Sequence, residues 1–292
     1  MRRRLKWLLS KFHWIPDATY HRWAYWLLTG RRLNLDRPVT FNEKLNWIKL
    51  HGSTHLYAPL VDKLAVRNFV ARVVGVQYLV PMINSYETPL LTRFMVVDRC
   101  VVKCTHGSHC SIAVNSRAHV DTCAMANQLR RWMITNWYWH AREPPYRAIP
   151  PRIIVEELLG DGITPPVDYK VMCFGGEPEV VQVHRRRGTE TTIDFYTAYG
   201  ARLDWRKTGY GNSPSPYIER SKLQDMIPVA RALARETGAP YVRVDLYHEG
   251  GRVYFGELTF FDSAGYRDFE PAKVNAELGA MIDLTTIRRQ GS

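Results

Sequence analysis

Between Tyr241 and Phe260 apolar and polar positions alternate. Val242, Val244 and Leu246 share one side of a β-prone run, and Arg243 and Asp245 share the other. After Glu249-Gly250-Gly251 a second run sets Glu257 and Thr259 against Gly256, Leu258 and Phe260. Period-two alternation on both sides of a glycine-rich turn predicts a hairpin. A three-residue Glu-Gly-Gly loop, with one glycine in the left-handed region, brings Arg243, Asp245 and Glu257 to a common face, because an odd loop preserves that register. Two carboxylates, a hydroxyl and a guanidinium then converge. That set suits magnesium held against phosphate oxygens. The plainer alternative is an amphipathic hairpin whose charged face meets water.

The same patterning predicts the remaining elements. Leu5, Leu8, Leu9 and Phe12 recur at helical spacing within residues 1–30, which read as one or two helices. Thr40 with Glu43 three residues on forms a capping box ahead of Leu45, Trp47 and Ile48. A helix over Leu60–Val74, closed by Gly75, carries Lys63 in its first turn, where the helix dipole disfavours a cation. A strand over Val96–Cys104 brings Lys103 to the edge of a small-residue loop, Thr105–Ser111, an arrangement able to grip phosphate through backbone N–H groups and an ammonium. A helix over 121–142 ends in Trp132, Trp137, Tyr138 and Trp139, either core or a stacking platform. Pro144-Pro145 and Pro150-Pro151 mark a boundary, followed by a strand over Arg152–Leu159. A hairpin then forms around Gly175-Gly176, with the basic cluster His184, Arg185 and Arg187 at its end as candidates for an anionic substrate. Residues 221–237 form a helix stopped by Gly238, and residues 271–292 a terminal helix and tail.

Charge narrows the partners. The 292 residues carry a net +12, which favours nucleotide phosphates, anionic glycans, acidic lipid or nucleic acid. Five cysteines in no spaced framework read as reduced thiols in a cytoplasmic protein. Cys100, Cys104, His106, His109 and Cys110 invite a zinc site, yet no CxxC pair is present, and strand alternation makes Cys100 and Cys104 small buried hydrophobes beside Val102. No apolar run approaches the ~20 residues that span a bilayer. Residues 1–12 are basic and amphipathic, suited to peripheral contact with an anionic membrane at its inner face or to docking on their own domain.

Taken in order, seven blocks resemble the TupA-like ATP-grasp family: PVTFNEKLNWIKL at 38–50, VDKLAVRNFV at 61–70, YLVP at 78–81, VVKCTHGS at 101–108, PRIIVEELL at 151–159, DYKVMCFGGEP at 168–178, and VRVDLY with GELTF in the opening hairpin. The resemblance spans roughly residues 20–285. It implies an α+β ATP-grasp fold whose antiparallel lobes clamp ATP, with a helical N-terminal region over 1–93, a small lobe over 94–155 and a large lobe over 156–292. It further implies that Lys63 and Lys103 grip the phosphates, that Gly107 and Ser108 lie in the covering loop, and that Glu156, Glu157 and Leu159 frame the adenine. Asp168 would take the ribose, Asp245, Glu257 and Thr259 magnesium, and Arg243 and Lys170 the reacting phosphoryl group. Thr259 stands where many ATP-grasp enzymes have Asn, and the loop lacks the additional glycine that usually follows the serine. The activity implied is ATP- and Mg-dependent carboxylate–amine ligation through an acyl phosphate, in surface polysaccharide or teichuronopeptide assembly. Its partners would be small-molecule or glycan carboxylates and amines, with no nucleic acid expected. A nucleotide-sugar glycosyltransferase and a non-catalytic nucleotide- or anion-binding protein are the alternatives.

Overall fold

The computed structural model describes residues 8–88, 96–186 and 190–287. Its named strands all pair antiparallel, in two main sheets. The smaller has the order β1-β4-β2-β3, with β1 at Met82–Tyr86, β2 at Cys100–Cys104, β3 at Ser111–Val114 and β4 at Ile153–Glu157. It therefore reaches back to Met82 and forward to Glu157, beyond both ends of the small lobe expected at 94–155. The larger has the order β11-β10-β5-β6-β7-β8: β5 Asp168–Phe174, β6 Glu177–Arg185, β7 Thr192–Thr197, β8 Arg202–Leu203, β10 Tyr241–Glu249 and β11 Arg252–Thr259. Two short strands, β9 (Arg206–Lys207) and β12 (Phe269–Glu270), pair separately.

Eight helices accompany the sheets among the described residues: α1 Asp17–Thr29, α2 Phe41–His51, α3 Ala58–Val61, α4 Val66–Val73, α5 Thr122–Met133, α6 Tyr138–Ala141, α7 Arg220–Thr237 and α8 Val274–Ala280. The capping box expected at α2 is present: the Thr40 hydroxyl accepts from the Glu43 N–H, and the Glu43 carboxylate accepts from the Thr40 N–H. Gly238 ends α7 in the left-handed conformation.

Two expected helices are broken. The single helix over Leu60–Val74 is α3 and α4, parted at Asp62, whose carboxylate accepts the N–H groups of Leu64 and Ala65 and starts a new helix. The helix over 121–142 is α5 and α6, since the Asn136 side chain accepts the Tyr138 N–H and restarts the chain there. Local side-chain oxygens compete with the helix for these donors.

Period-two strands decide what lies where. One face of the large sheet carries Val171, Cys173, Val181, Val183, Val242, Val244 and Leu246 against Leu223, Met226, Ala230 and Leu233 of α7, all buried in the main core. At roughly 1.5–3 kcal/mol per buried large aliphatic or aromatic side chain, this layer supplies the principal stabilisation. In the small sheet Cys100, Val102 and Cys104 are fully buried against Met125 and Leu129 of α5. They behave as small hydrophobes, and the opposite face of each sheet carries the polar side chains of the cleft described next.

Candidate active site

Asp245 pairs directly with Glu257, and Arg243 with Thr259. The hairpin achieves this differently from the three-residue loop expected. Glu249 pairs with Arg252, which leaves a two-residue turn, Gly250-Gly251, with φ of 57° and 72°. Such a turn needs two left-handed residues, which glycine supplies. The odd residue lies instead in a bulge at Gly256, because Leu246 pairs with Phe255 while Asp245 pairs with Glu257. A bulge changes which face the following side chains occupy. A Cβ at Gly256 would stand 3.1 Å from the Asp245 carbonyl oxygen, so a glycine fits the close approach.

Around this hairpin runs a chain of alternating charges. Lys170 Nζ donates to Asp245 and lies 2.8 Å from Asp168. The Arg243 fork donates to both Asp245 oxygens at 2.6 and 2.8 Å, to Asp262 at 2.7 Å and to the Thr259 hydroxyl at 3.1 Å. Lys207 Nζ reaches both oxygens of Asp262 at 2.8 and 2.7 Å, and Gln182 Nε2 adds a third donor at 3.0 Å. Every charged member of this chain is buried. Three carboxylates face three cations, the balance that buried charge requires.

The environment tunes these groups. Burial works against the Lys170 ammonium, but Asp168 and Asp245 outweigh it and hold its pKa above that of an ordinary lysine. Burial alone would raise the Asp262 carboxyl; Lys207 and Arg243 hold it far below the usual range. Burial brings Lys207 down to about 8 despite Asp262. His184 is driven well below 6.5, first by burial and then by Lys170, Lys207 and Arg243, so its imidazole is neutral at pH 7. Asp245 is pushed up by burial and pulled back by its two cations, and three donated hydrogen bonds ask for its carboxylate form.

Opposite the hairpin, the small sheet turns Lys103, Ile154 and Glu156 into a cleft that Lys63, Arg67, Leu79, Phe255 and Gly256 complete. Glu156 accepts from Arg67 and Lys103 at 2.6 Å each. Three cations against one carboxylate leave this lining positive, with apolar walls from Leu79, Ile154 and Phe255. Lys63 lies in the break between α3 and α4 rather than in a first helical turn. Its N–H donates to the Thr105 carbonyl at 3.1 Å and its Nζ to the Gly107 carbonyl at 2.7 Å, tying the loop after β2 to the cleft. Gly107 is packed beneath Trp137, whose Nε1 would lie 2.2 Å from an added Cβ. Ser108 lies beside the Tyr146 hydroxyl.

The structure thus brings Lys63, Lys103 and Glu156 to one cleft, with Gly107 tied to it through Lys63 and Ser108 next to it in the same loop, beside Asp168, Lys170, His184, Arg243, Asp245, Glu257 and Thr259 on the polar face of the large sheet. Glu156 serves through its side chain as the counterion of two cations, since β4 alternation points it into the cleft. Glu157 is exposed, its N–H bonded to the Pro81 carbonyl at 3.0 Å, and Leu159 follows at the strand's end. Arg185 departs from the expected basic cluster. It alternates to the opposite face from His184 and donates to Asp194 at 2.7 Å and to the Tyr217 carbonyl. Arg187 lies outside the described residues. Four participants had no signal of their own in the sequence: Arg67, Gln182, Lys207 and Asp262.

The donors suit a magnesium–phosphate group. Glu257 keeps 38% of its side chain exposed at the cleft, and among the described residues Asp245 Oδ1 accepts from Arg243 Nε alone, so paired residues offer hard oxygen ligands beside a basic wall. Thr259 is already committed, donating to Glu257 at 3.4 Å and accepting from Arg243.

A family profile described as TupA-like ATPgrasp matches residues 43–283. Among curated proteins none matches the chain. Among solved structures, D-alanine–D-alanine ligase from Bacillus anthracis, complexed with ATP, is 13% identical over 81% of this chain and 69% of that one, with a TM-score of 0.49. L-amino acid ligase from Bacillus licheniformis is 12% identical over 73% of this chain, with a TM-score of 0.44. This chain spans 45% of that ligase's length. The ATP-grasp ligase PsnB, complexed with a precursor variant, Mg and ADP, is 12% identical over 82% of this chain and 66% of that one, with a TM-score of 0.43. The match over residues 43–283 and the α+β pair of antiparallel sheets agree, and the chain belongs to the TupA-like ATPgrasp family.

Proposed function

We propose that the protein is an ATP- and Mg-dependent carboxylate–amine ligase, and that it forms an amide during assembly of a cell-surface polysaccharide or teichuronopeptide. The observation that carries the reading is the meeting of two opposite chemistries at one cleft: Lys63 Nζ stands 3.8 Å from Glu257 Oε2, joining the basic phosphate wall to the carboxylate edge of the hairpin.

In this reading Lys63, Arg67 and Lys103 bind the phosphates of ATP, while Asp245 and Glu257 would hold magnesium. When bound, the metal supplies positive charge against the phosphate oxygens. A substrate carboxylate oxygen attacks the γ-phosphorus, the bond to the β-phosphate oxygen breaks, and ADP leaves. An amine then attacks the acyl carbon, inorganic phosphate departs, and the amine loses its proton to solvent. Arg243, clamped between Asp245 and Asp262, presents fixed positive charge where the transferring phosphoryl group and the tetrahedral intermediate develop negative charge. Lys170 holds Asp245 in place and remains protonated. Neutral His184 and buried Gln182 border the site beyond Lys170, at the end left for the carboxylate and amine.

The test incubates the protein with ATP, magnesium and panels of uronic acids, amino acids and amines. ADP and phosphate are followed, and the product is read by mass spectrometry. The reading expects equal release of ADP and phosphate with a product lighter by one water than its two substrates. Release of UDP from a nucleotide sugar without ATP turnover would overturn it.

A further inference from the structure

Helix α1 is apolar on two sides. Its inner side, Tyr20, His21, Ala24, Tyr25 and Leu28, is buried in a satellite core with Leu9, Ile15, Leu33 and Tyr266. Its outer side presents Trp23, Trp26 and Leu27, which are 50%, 57% and 40% exposed. Trp14, in the turn leading into the helix, is 78% exposed. An apolar helix face is ordinarily covered, and here the outer arc faces away from the protein's own core.

Charge identifies what covers it. Residues 1–37 hold nine Lys and Arg against two Asp, a net +7 of the chain's +12. Arg22 lies beside Trp26 on the same exposed arc, and Arg31 and Arg32 follow at the C-terminal end of the helix, all exposed. One of the two acids, Asp17, is engaged by Arg142 and Tyr138. Tryptophans ringed by arginines fit the boundary between acyl chains and anionic headgroups, where amphipathic indoles concentrate and each nearby cation contributes attraction. Among the described residues no helix is long and apolar enough to cross a membrane, so the contact would lie on the surface.

We propose that the outer face of α1, with Trp14, Trp23, Trp26 and Leu27 flanked by Arg22, Arg31 and Arg32, docks on an anionic phospholipid bilayer. The inner face would orient the enzyme on that surface, since His21 Nδ1 and the Tyr266 hydroxyl are hydrogen-bonded at 2.5 Å and Lys49 of α2 donates to the Ala264 carbonyl at 2.7 Å. Both partners sit in the segment that follows Asp262, so the docking helix is joined to the polar end of the site.

The full chain is sedimented with vesicles of pure phosphatidylcholine and with vesicles of equal parts phosphatidylcholine and phosphatidylglycerol, while tryptophan emission is recorded. Binding to the anionic vesicles, a blue shift on binding, and weakening by salt are expected. Trp23→Ser with Trp26→Ser should abolish binding, and Arg22→Gln and Arg32→Gln should each weaken it roughly fivefold. All four side chains project outward, so circular dichroism and ATP-induced thermal shift should match the unaltered protein. Absence of binding to anionic vesicles overturns the proposal. So does binding that survives the double tryptophan change, or a dimer in sedimentation velocity that this change dissolves, which would assign the face to a second copy of the chain.

Discussion

Arg67 and Lys103 converge on one carboxylate, Glu156, from a helix and from a strand of the small sheet, at 2.6 Å each. The arrangement holds two cations extended toward the cleft in the absence of any anion from outside. Both side chains are still partly open to solvent, 15% for Arg67 and 26% for Lys103. A polyphosphate entering the cleft meets cations already positioned.

Arg67→Met and Lys103→Met are therefore expected to weaken ATP binding by roughly tenfold or more each, the worth of a hydrogen bond to a charged group. Lys63→Met should do the same. Its ion pair with Glu257 is long and partly exposed, so losing it should cost about 1 kcal/mol of stability or less. Isothermal titration with a non-hydrolysable ATP analogue, beside urea unfolding of each variant, separates the two effects.

Arg243 behaves otherwise because it is buried between Asp245 and Asp262. Arg243→Met leaves two buried carboxylates short of a partner and should destabilise the fold by about 3–5 kcal/mol. Arg243→Lys restores a charge without the fork that reaches both acids, so it should recover part of the stability and little of the turnover. Urea midpoints and initial rates of ADP release for the two variants check this.

Much of the fold is legible along the chain, and the reasons are local. The capping box at Thr40, the glycine stop at Gly238 and the two Gly-Gly hairpins each depend on neighbours within a few residues. The break at Asp62 escapes because an apolar helical period runs straight through it, while the deciding event is one side-chain oxygen capturing two N–H groups. The sharing of a face by Arg243, Asp245 and Glu257 follows from alternation, but its cause does not: the odd residue sits at Gly256 and not in the turn. Arg185 looks like a companion of His184 in the sequence, and strand alternation separates them. Lys207, Gln182 and Asp262 are unmarked because their meaning comes from one another. They meet only after β6, β9 and the segment beyond β11 are folded together, across separations of 25 to 80 residues.

A pH effect should arise far from the cleft. His21 is fully buried and its pKa is held well below 6.5, by burial first and then by the Lys49 and Arg142 cations, while its Nδ1 is hydrogen-bonded to the Tyr266 hydroxyl. The unfolded chain takes up this proton near pH 6.5 and the folded chain does not. The stability contribution is complete above that pH and is lost as pH falls toward the depressed folded value, at up to about 1.4 kcal/mol per pH unit. His21→Gln keeps a hydrogen-bonding partner for Tyr266 and cannot titrate. Urea unfolding between neutral and mildly acidic pH should show a shallower decline for this variant than for the unaltered protein.

The central claim is that Glu257 joins the phosphate cleft to the carboxylate edge of the hairpin as part of a magnesium–ATP site. Glu257→Gln removes the charge at a partly exposed position with little reason to disturb the fold. The most direct measurement is the rate of ADP release, with a carboxylate and an amine present, as magnesium is titrated against both proteins. The account predicts saturable magnesium dependence in the unaltered protein and, in Glu257→Gln, a rate lowered by roughly two or more orders of magnitude, the scale of losing one preorganised electrostatic group at the reacting centre. Equal rates and equal magnesium dependence in the two proteins would contradict it.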